Sequence, residues 1–323
     1  MSSLFPLVPG QRGDAVRNLQ RRLSAAGVLA PHAADDGVFC GRTHAALLAF
    51  QDAYGLRADG ECDEVTWSML VEASWSLGDR LLYLRSPNLR GDDVAELQTH
   101  LSRLGFDCGR VDGIYGPLTV RAVTEFQQNC GLAGDGICGP TVVDTLGRIG
   151  GQSGTGPGIA AVRETESLGP DSNLHRIAVG QYGTTSNIAH AVSRRLKSTF
   201  PQTITVEGDP ADQALTANRF GADVYVAIEP SPDAGCTFCY YEVPTFFSVG
   251  GKSLALRLSD TLSTKMPDMP CRIQGLRMPI LRETKMPAVV CAVGPVDVVL
   301  QRTTKLVDVV VLAVSEWLAE PLG

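Results

Sequence analysis

Residues 275–294 read GLRMPILRETKMPAVVCAVG. The run from Pro287 to Val293 is apolar without interruption, too short for a buried helix and bounded by Pro and Gly, so it reads as a strand buried on both faces. Before it the chain reads as a loop that closes on Arg-Glu-Thr-Lys at 282–285. In α/β proteins the carboxyl ends of such strands carry the site. Here the strand ends in Cys291, Ala292, Val293 and Gly294, none of them an acid, a base or a usual metal ligand.

Outward from this strand the pattern alternates. Strands are expected at 175–179, 202–207, 222–229 and 236–241, and helices at 185–198, 212–220, 254–265 and 303–318. In the first helix Ile188, Val192 and Leu196 share one face, and the last is amphipathic. Apolar strands alternating with helices give an α/β domain, a mostly parallel sheet flanked by helices, over residues 175–321. Residues 149–174 are rich in Gly, Ser and Pro and read as a linker, with a short helix possible at 159–166.

The first half is duplicated. GDAVRNLQRRLSAAG (13–27) is repeated as GDDVAELQTHLSRLG (91–105), Asp36-Gly37 as Asp112-Gly113, Phe50-Gln51 as Phe126-Gln127, and Asp59-Gly60 as Asp135-Gly136. Each copy has its own apolar set, so two small domains are expected, at 8–72 and 86–148, rather than a solenoid. Each reads as three helices separated by Asp-Gly turns, with Asp92 a candidate cap for the first helix of the second copy. The fold class is multidomain: two three-helix all-α domains, then the α/β domain.

The net charge of −7 disfavours general nucleic-acid or anionic-membrane binding. No basic segment precedes an apolar run at the N-terminus, no apolar run is long enough to span a membrane, and an odd set of nine cysteines argues against a disulfide framework. A cytoplasmic protein is the expectation. Cys236 and Cys239 have zinc-knuckle spacing without a second pair, so packing on a strand is the preferred reading. There is no phosphate-binding glycine loop and no Gly-x-Ser-x-Gly elbow, and Cys291 in mid-strand is a poor nucleophile.

The repeats, through GDDVAELQTHLSRLG, VDGIYGPLTVRAVTEFQ and GLAGDGICGPTVVDTL, resemble the peptidoglycan-binding-like three-helix domains found beside cell-wall hydrolases. The resemblance implies a capacity for cell-wall glycopeptide, or a scaffold descended from one. The second half, through NIAHAVSRRL (187–196), ALTANRFGADVYVAIE (214–229) and the opening stretch, resembles the zinc-dependent N-acetylmuramoyl-L-alanine amidases. That family's zinc is implied to be held by two histidines and a glutamate, with a further glutamate moving the proton. The resemblance implies that these four positions correspond here to Gln181, Thr185, Glu229 and Ala292. The histidines at 32, 44, 100, 175 and 190 do not rebuild the set: three lie in the repeats, His175 starts a strand and His190 is mid-helix. The expectation is a pseudoenzyme with no catalytic residue, no metal and no cofactor.

Tandem repeats followed by a degenerate amidase domain resemble the cytoplasmic amidase-like regulators of actinobacteria. That resemblance implies a regulator of peptidoglycan synthesis that stimulates the UDP-N-acetylglucosamine enolpyruvyl transferase MurA, with a Ser/Thr protein kinase and an FHA-domain protein as further partners. It also leaves open a sensor of peptidoglycan fragments or of lipid II, and an active amidase. The sequence ends soon after the last helix, at Glu320-Pro-Leu-Gly, so no phosphorylation site is assigned.

Overall fold

The computed structural model describes residues 5–30, 36–150, 175–243 and 246–321, with Ile159 and Val162. Apart from those two residues, the expected helix at 159–166 lies outside the described residues. The chain divides into two compact units, Met1–Val162 and Arg163–Gly323.

Unit 1 holds six helices: α1 (Asp14–Ala25), α2 (Gly41–Ala53), α3 (Glu64–Glu72), α4 (Asp92–Arg103), α5 (Pro117–Asn129) and α6 (Pro140–Gly150). They enclose two cores, one around Leu19, Leu23, Leu47, Phe50 and Leu70, the other around Leu97, Leu101, Val123, Phe126 and Leu146. Asp92 proves to be the first helical residue of α4. The cap position is Gly91, which has no side chain to offer. Asp93 is the residue that turns inward.

The polar residues that recur in the repeats are consumed by the fold. Each of four buried glutamines, Gln20, Gln51, Gln98 and Gln127, closes an Asp-Gly turn. The glutamine carbonyl accepts from the glycine N–H at 2.8–2.9 Å (Gly37, Gly60, Gly113, Gly136). Its amide nitrogen donates to the aspartate at 2.6–2.9 Å (Asp36, Asp59, Asp112, Asp135). The same nitrogen donates to the carbonyl two residues past the aspartate, as in Gln98 to Ile114 at 3.2 Å. The turn glycines have φ of +65° to +73°, where a Cβ is strained. Replacing Gln98 with leucine keeps the shape and strands the Gly113 N–H and its partners in a dry site. The expected cost is about 2–4 kcal/mol, read as a lower denaturation midpoint of unit 1.

The latches also set an acid limit. The Gln20 amide and then the Val38 N–H hold Asp36 below the usual carboxylate range, and the Ile137 N–H and then Gln127 do the same for Asp135. A carboxylate depressed on folding contributes stability above its unfolded pKa and loses it as pH falls through the folded one. Unit 1 is therefore expected to melt at a steady temperature down to about pH 5 and to weaken below about pH 4. A melting temperature flat to pH 2 contradicts this.

Unit 2 is the α/β body: β1 (Ile177–Gln181), a 3-10 turn (Gly183–Thr185), α7 (Ser186–Thr199), β2 (Thr203–Val206), α8 (Pro210–Phe220), β3 (Val224–Pro230), β4 (Gly235–Val243), β5 (Phe246–Phe247), α9 (Val249–Lys265), β6 (Cys271–Leu276), α10 (Pro279–Glu283), β7 (Ala288–Gly294), α11 (Val296–Gln301) and α12 (Thr303–Ala319). The strand order is β2-β1-β3-β7-β4, with β5 and β6 both paired to β4. β2, β1, β3 and β7 run parallel, while β4 is antiparallel to β7 and parallel to β6. The sheet is mixed and mostly parallel.

On one face Val179, Val226, Ile228, Phe238 and Cys291 pack against α7, α9 and α12 through Ile188, Leu258 and Val310. The crossover that carries β2 back past β1 to β3 puts α8 on the other face, where it packs with α10. The opening stretch is thus more ordered than a loop. Its first residues end the edge strand β6, and Pro279 starts the one-turn helix α10. Asn218 of α8 clamps that helix, donating to the Glu283 carbonyl at 2.8 Å and accepting from the Lys285 N–H at 2.9 Å.

Candidate functional site

The order β2-β1-β3 means that the chain leaves β1 in one direction and returns on the other, so a crevice opens at the carboxyl ends of β1 and β3. Register decides which side chains meet there. Glu229 pairs with Ala292, and Ala292 with Thr237, so the three form a row on the α8–α10 face. Gln181 pairs with Ile228, whose side chain belongs to the opposite core. The strand register therefore assigns Gln181 and Glu229 to opposite faces. The Gln181 side-chain oxygen is buried without a hydrogen-bond partner among the described residues.

The side chain in the field of Glu229 is instead Tyr182, one residue on, with its hydroxyl buried. Burial, and then the Glu229 and Asp209 carboxylates, push its phenol up to about 12, against a lowering contribution from Tyr225. Tyr225 is fully buried, and burial and then Tyr182 and Glu229 raise it further. Its hydroxyl donates to the Gln213 carbonyl oxygen at 2.9 Å. The Gln213 amide donates in turn to the main-chain oxygens of Gly208 at 3.0 Å and Gln181 at 3.1 Å. This network ties β3, α8 and the end of β1 together. Gly180 makes room for it, since a Cβ there would lie 2.0 Å from the Tyr225 hydroxyl. Tyr182, Tyr225 and Gln213 were not singled out in the sequence. The tyrosine in Gly-Gln-Tyr-Gly, directly after the first strand, was the available signal.

Thr185 is buried, and its hydroxyl lies 2.7 Å from the Tyr182 carbonyl and 2.8 Å from the Ile228 carbonyl. It pins the exit of β1 to β3 and presents its hydrogen to main chain rather than to the crevice. Ala292 contributes a methyl group.

The zinc implied by the amidase resemblance needs three nitrogen, oxygen or sulfur ligands and one open position. Of the positions considered, Glu229 alone offers a charged donor. Tyr182 stays protonated at neutral pH, Thr185 faces carbonyls, and Ala292 has no donor. These residues do not fit zinc. Among the described residues no three His, Cys, Asp or Glu side chains converge on one point. His44 packs on Gly60, His100 lies 3.9 Å from Glu96, His175 packs edge-on to Phe200, and His190 is exposed on α7. His32 lies outside the described residues.

The buried cysteines are structural. Cys236 and Cys239 are three residues apart on β4 and so point to opposite faces, which prevents chelation. Cys291 is fully buried, and burial raises its thiol far above the ordinary value. Burial likewise pushes Cys62, Cys108 and Cys138 up to about 12. Cys40, partly exposed at the N-cap of α2, is lowered to about 7, first by the Thr43 N–H. A thiolate-selective reagent at pH 7.5 is expected to label Cys40 first, well before the buried thiols. Labelling of Cys62 or Cys138 at the same rate contradicts the local structure.

Comparison with known proteins places these features in a family. The family described as putative peptidoglycan binding domain matches residues 12–70 and 90–146. The N-acetylmuramoyl-L-alanine amidase CwlM of Mycobacterium tuberculosis is 31% identical over 318 residues, which cover 84% of this chain and 78% of that protein. A probable N-acetylmuramoyl-L-alanine amidase of Bacillus licheniformis is 36% identical over 154 residues, 43% of this chain and 44% of that protein, so the chain spans less than half of this relative. Among solved structures, the N-acetylmuramoyl-L-alanine amidase of Clostridium difficile 630 aligns over 46% of this chain and 99% of its own, with 16% identity and a TM-score of 0.38. No helix among the described residues is long and apolar enough to cross a membrane.

Proposed function

The chain belongs to the CwlM family of N-acetylmuramoyl-L-alanine amidase-like proteins, and from that premise we propose that it is a non-catalytic regulator of peptidoglycan precursor synthesis. It acts in the cytoplasm by protein contact and stimulates a MurA-type enolpyruvyl transferase. A Ser/Thr kinase and an FHA-domain protein are further partners in this reading. One observation supports a loss of catalysis: Ala292, the position that the amidase resemblance implies for the proton-moving glutamate, offers only a methyl group between Glu229 and Thr237. Thr185, committed to two carbonyls, adds to it. In this reading the crevice generates no nucleophile, and the protein acts as a packed scaffold with two helical repeats.

The test is a steady-state assay of the MurA-type enzyme of the same organism, with and without one equivalent of this protein. The expected result is a severalfold rise in turnover. An unchanged rate together with no complex by calorimetry would sink the proposal. A second reading, a sensor of peptidoglycan fragments or lipid II, is favoured by the family match of both repeats. Heat released on titrating muropeptides, with none on titrating the transferase, would favour it over the first.

A further inference from the structure

Two cysteines of unit 2 stand side by side. β4 and β6 run parallel in a register that places Cys236 directly opposite Cys271. Registered partners on neighbouring strands send their side chains to the same face. Here that face is the core shared with α9 and α12: Cys236 is one of its buried residues, and Cys271, partly exposed, packs against it. Neighbouring strands lie about 4.8 Å apart, inside the Cα separation of roughly 4.4–6.8 Å that a disulfide spans. Two details hold this end of the ladder close. The Cys236 N–H donates to the Pro270 carbonyl at 2.8 Å. Beside it, Gly235 has φ of +114°, and a Cβ there would lie 2.4 Å from the same carbonyl oxygen.

The two thiols differ in access. Cys236 packs in the core of the reduced protein, and burial keeps its thiol protonated, well above the ordinary value. Cys271 reaches the surface on the edge strand. Its sulfur lies 3.3 Å from the Ser259 hydroxyl and 3.4 Å from the Ser263 hydroxyl, one turn apart on α9. A hydroxyl turns to donate or to accept as its neighbour requires, so the pair holds this sulfur in place through a change in its chemistry. Ser263 is exposed, so the sulfur is approached from solvent on that side.

A third thiol on the same face competes poorly. Cys291 belongs to this core, but β7 places it opposite Phe238, two residues along β4 from Cys236. Such diagonal partners lie about 7–8 Å apart, too far to bridge without movement of the backbone. β7 is held by strands on both sides, whereas β6 is paired to β4 alone among the described strands.

We infer that Cys271 and Cys236 form a hydroperoxide-responsive dithiol, with Cys271 as the thiol that is oxidised and Cys236 as the one that resolves it into a disulfide. The Cys271 thiolate attacks one oxygen of the hydroperoxide. The O–O bond breaks, the other oxygen leaves and takes a proton from solvent, and the sulfur, oxidised by two electrons, becomes a sulfenic acid. The Cys236 sulfur then attacks the Cys271 sulfur. The S–S bond forms, the S–O bond breaks, and the departing hydroxide takes the Cys236 proton as water. The new bond ties the edge strand that leads into α10 to the interior of the sheet. The inference is independent of the regulator reading above.

The test exposes the reduced full chain to excess hydrogen peroxide at pH 7.5, blocks the remaining thiols with an alkylating reagent, and maps the digest by mass spectrometry. Oxidation of Cys40, the thiol lowered to about 7, checks that the oxidant has acted. The expected result is that positions 236 and 271 lose alkylation together and appear as one joined peptide pair, parted again by dithiothreitol. In Cys236→Ala the joined pair is absent, and dimedone, which traps sulfenic acids, labels Cys271. The wild-type map decides by itself, so the outcome does not hang on the folding of the variant. Oxidised Cys40 with both 236 and 271 still thiols would overturn the proposal. So would Cys271 driven to sulfinic acid beside a reduced Cys236, or Cys236 joined to Cys291 instead.

Discussion

Replacing Arg80 with methionine is expected to cost unit 1 about 3–5 kcal/mol at neutral pH, the largest single effect in that unit. Arg80 grips the Asp93 carboxylate with two nitrogens, at 2.7 and 3.0 Å. It also donates to the Arg90 carbonyl at 2.7 Å and lies 4.6 Å over the Trp75 ring. The Asp93 side chain is 1% exposed and the arginine 21%. Removal of the arginine leaves a carboxylate in a dry site, which is the costly way to break a buried pair; removal of both ends costs far less. The double variant Arg80→Met/Asp93→Ala is therefore expected to recover most of the loss. Urea denaturation of the single and double variants at pH 7.5 measures this. Equal stability of wild type and Arg80→Met at pH 7.5 contradicts the account. Gly91 belongs to the same arrangement, because a Cβ there would lie 2.2 Å from Asp93 Oδ1.

Replacing Gly294 with alanine is expected to destabilise unit 2 by about 3 kcal/mol or more, at the upper end of overpacking costs. A Cβ at 294 would lie 2.0 Å from the Ser231 carbonyl oxygen and 2.6 Å from that of Asp233. Both obstacles are main chain, so no side-chain rotation relieves them. The loop that leads from β3 into β4 crosses the end of β7 here, held by the Ser231 N–H bonded to the Val293 carbonyl at 2.8 Å. The glycine that closes Cys-Ala-Val-Gly is needed for this crossing whether or not the site beside it does chemistry. A thermal scan is sufficient, and a wild-type midpoint for Gly294→Ala would show that the crossing is looser than described.

These two residues differ in how far the sequence reveals them. The repeat is easy to read because each latch needs the same Gln and Asp-Gly pair, which recur in register. The interior strands β3 and β7 are easy to read because burial on both faces leaves a continuous apolar run. β6 escapes notice because an edge strand with exposed Arg272 and Gln274 has no such run. α10 escapes because five residues carry no helical period. Asp93 reads as an ordinary acidic residue in a first helical turn, and nothing local in sequence announces that Arg80, 13 residues earlier, pairs with it in a buried site. In the crevice, Glu229 and Ala292 are placed through the amidase resemblance, and what the structure adds is that the two lie opposite each other on β3 and β7. Tyr182 is not, because its direction depends on how the turn after β1 departs from the sheet. The non-local bond from Thr185 to the Ile228 carbonyl leaves no mark on the sequence.

The proposal is that this amidase-like chain does not hydrolyse amides. It is tested most directly by incubating the purified protein with muropeptides in zinc-supplemented buffer and following, by mass spectrometry, release of the stem peptide from N-acetylmuramic acid. The account predicts no release above the buffer blank, with or without zinc. Zinc-dependent release that disappears in the Glu229→Gln variant would contradict it.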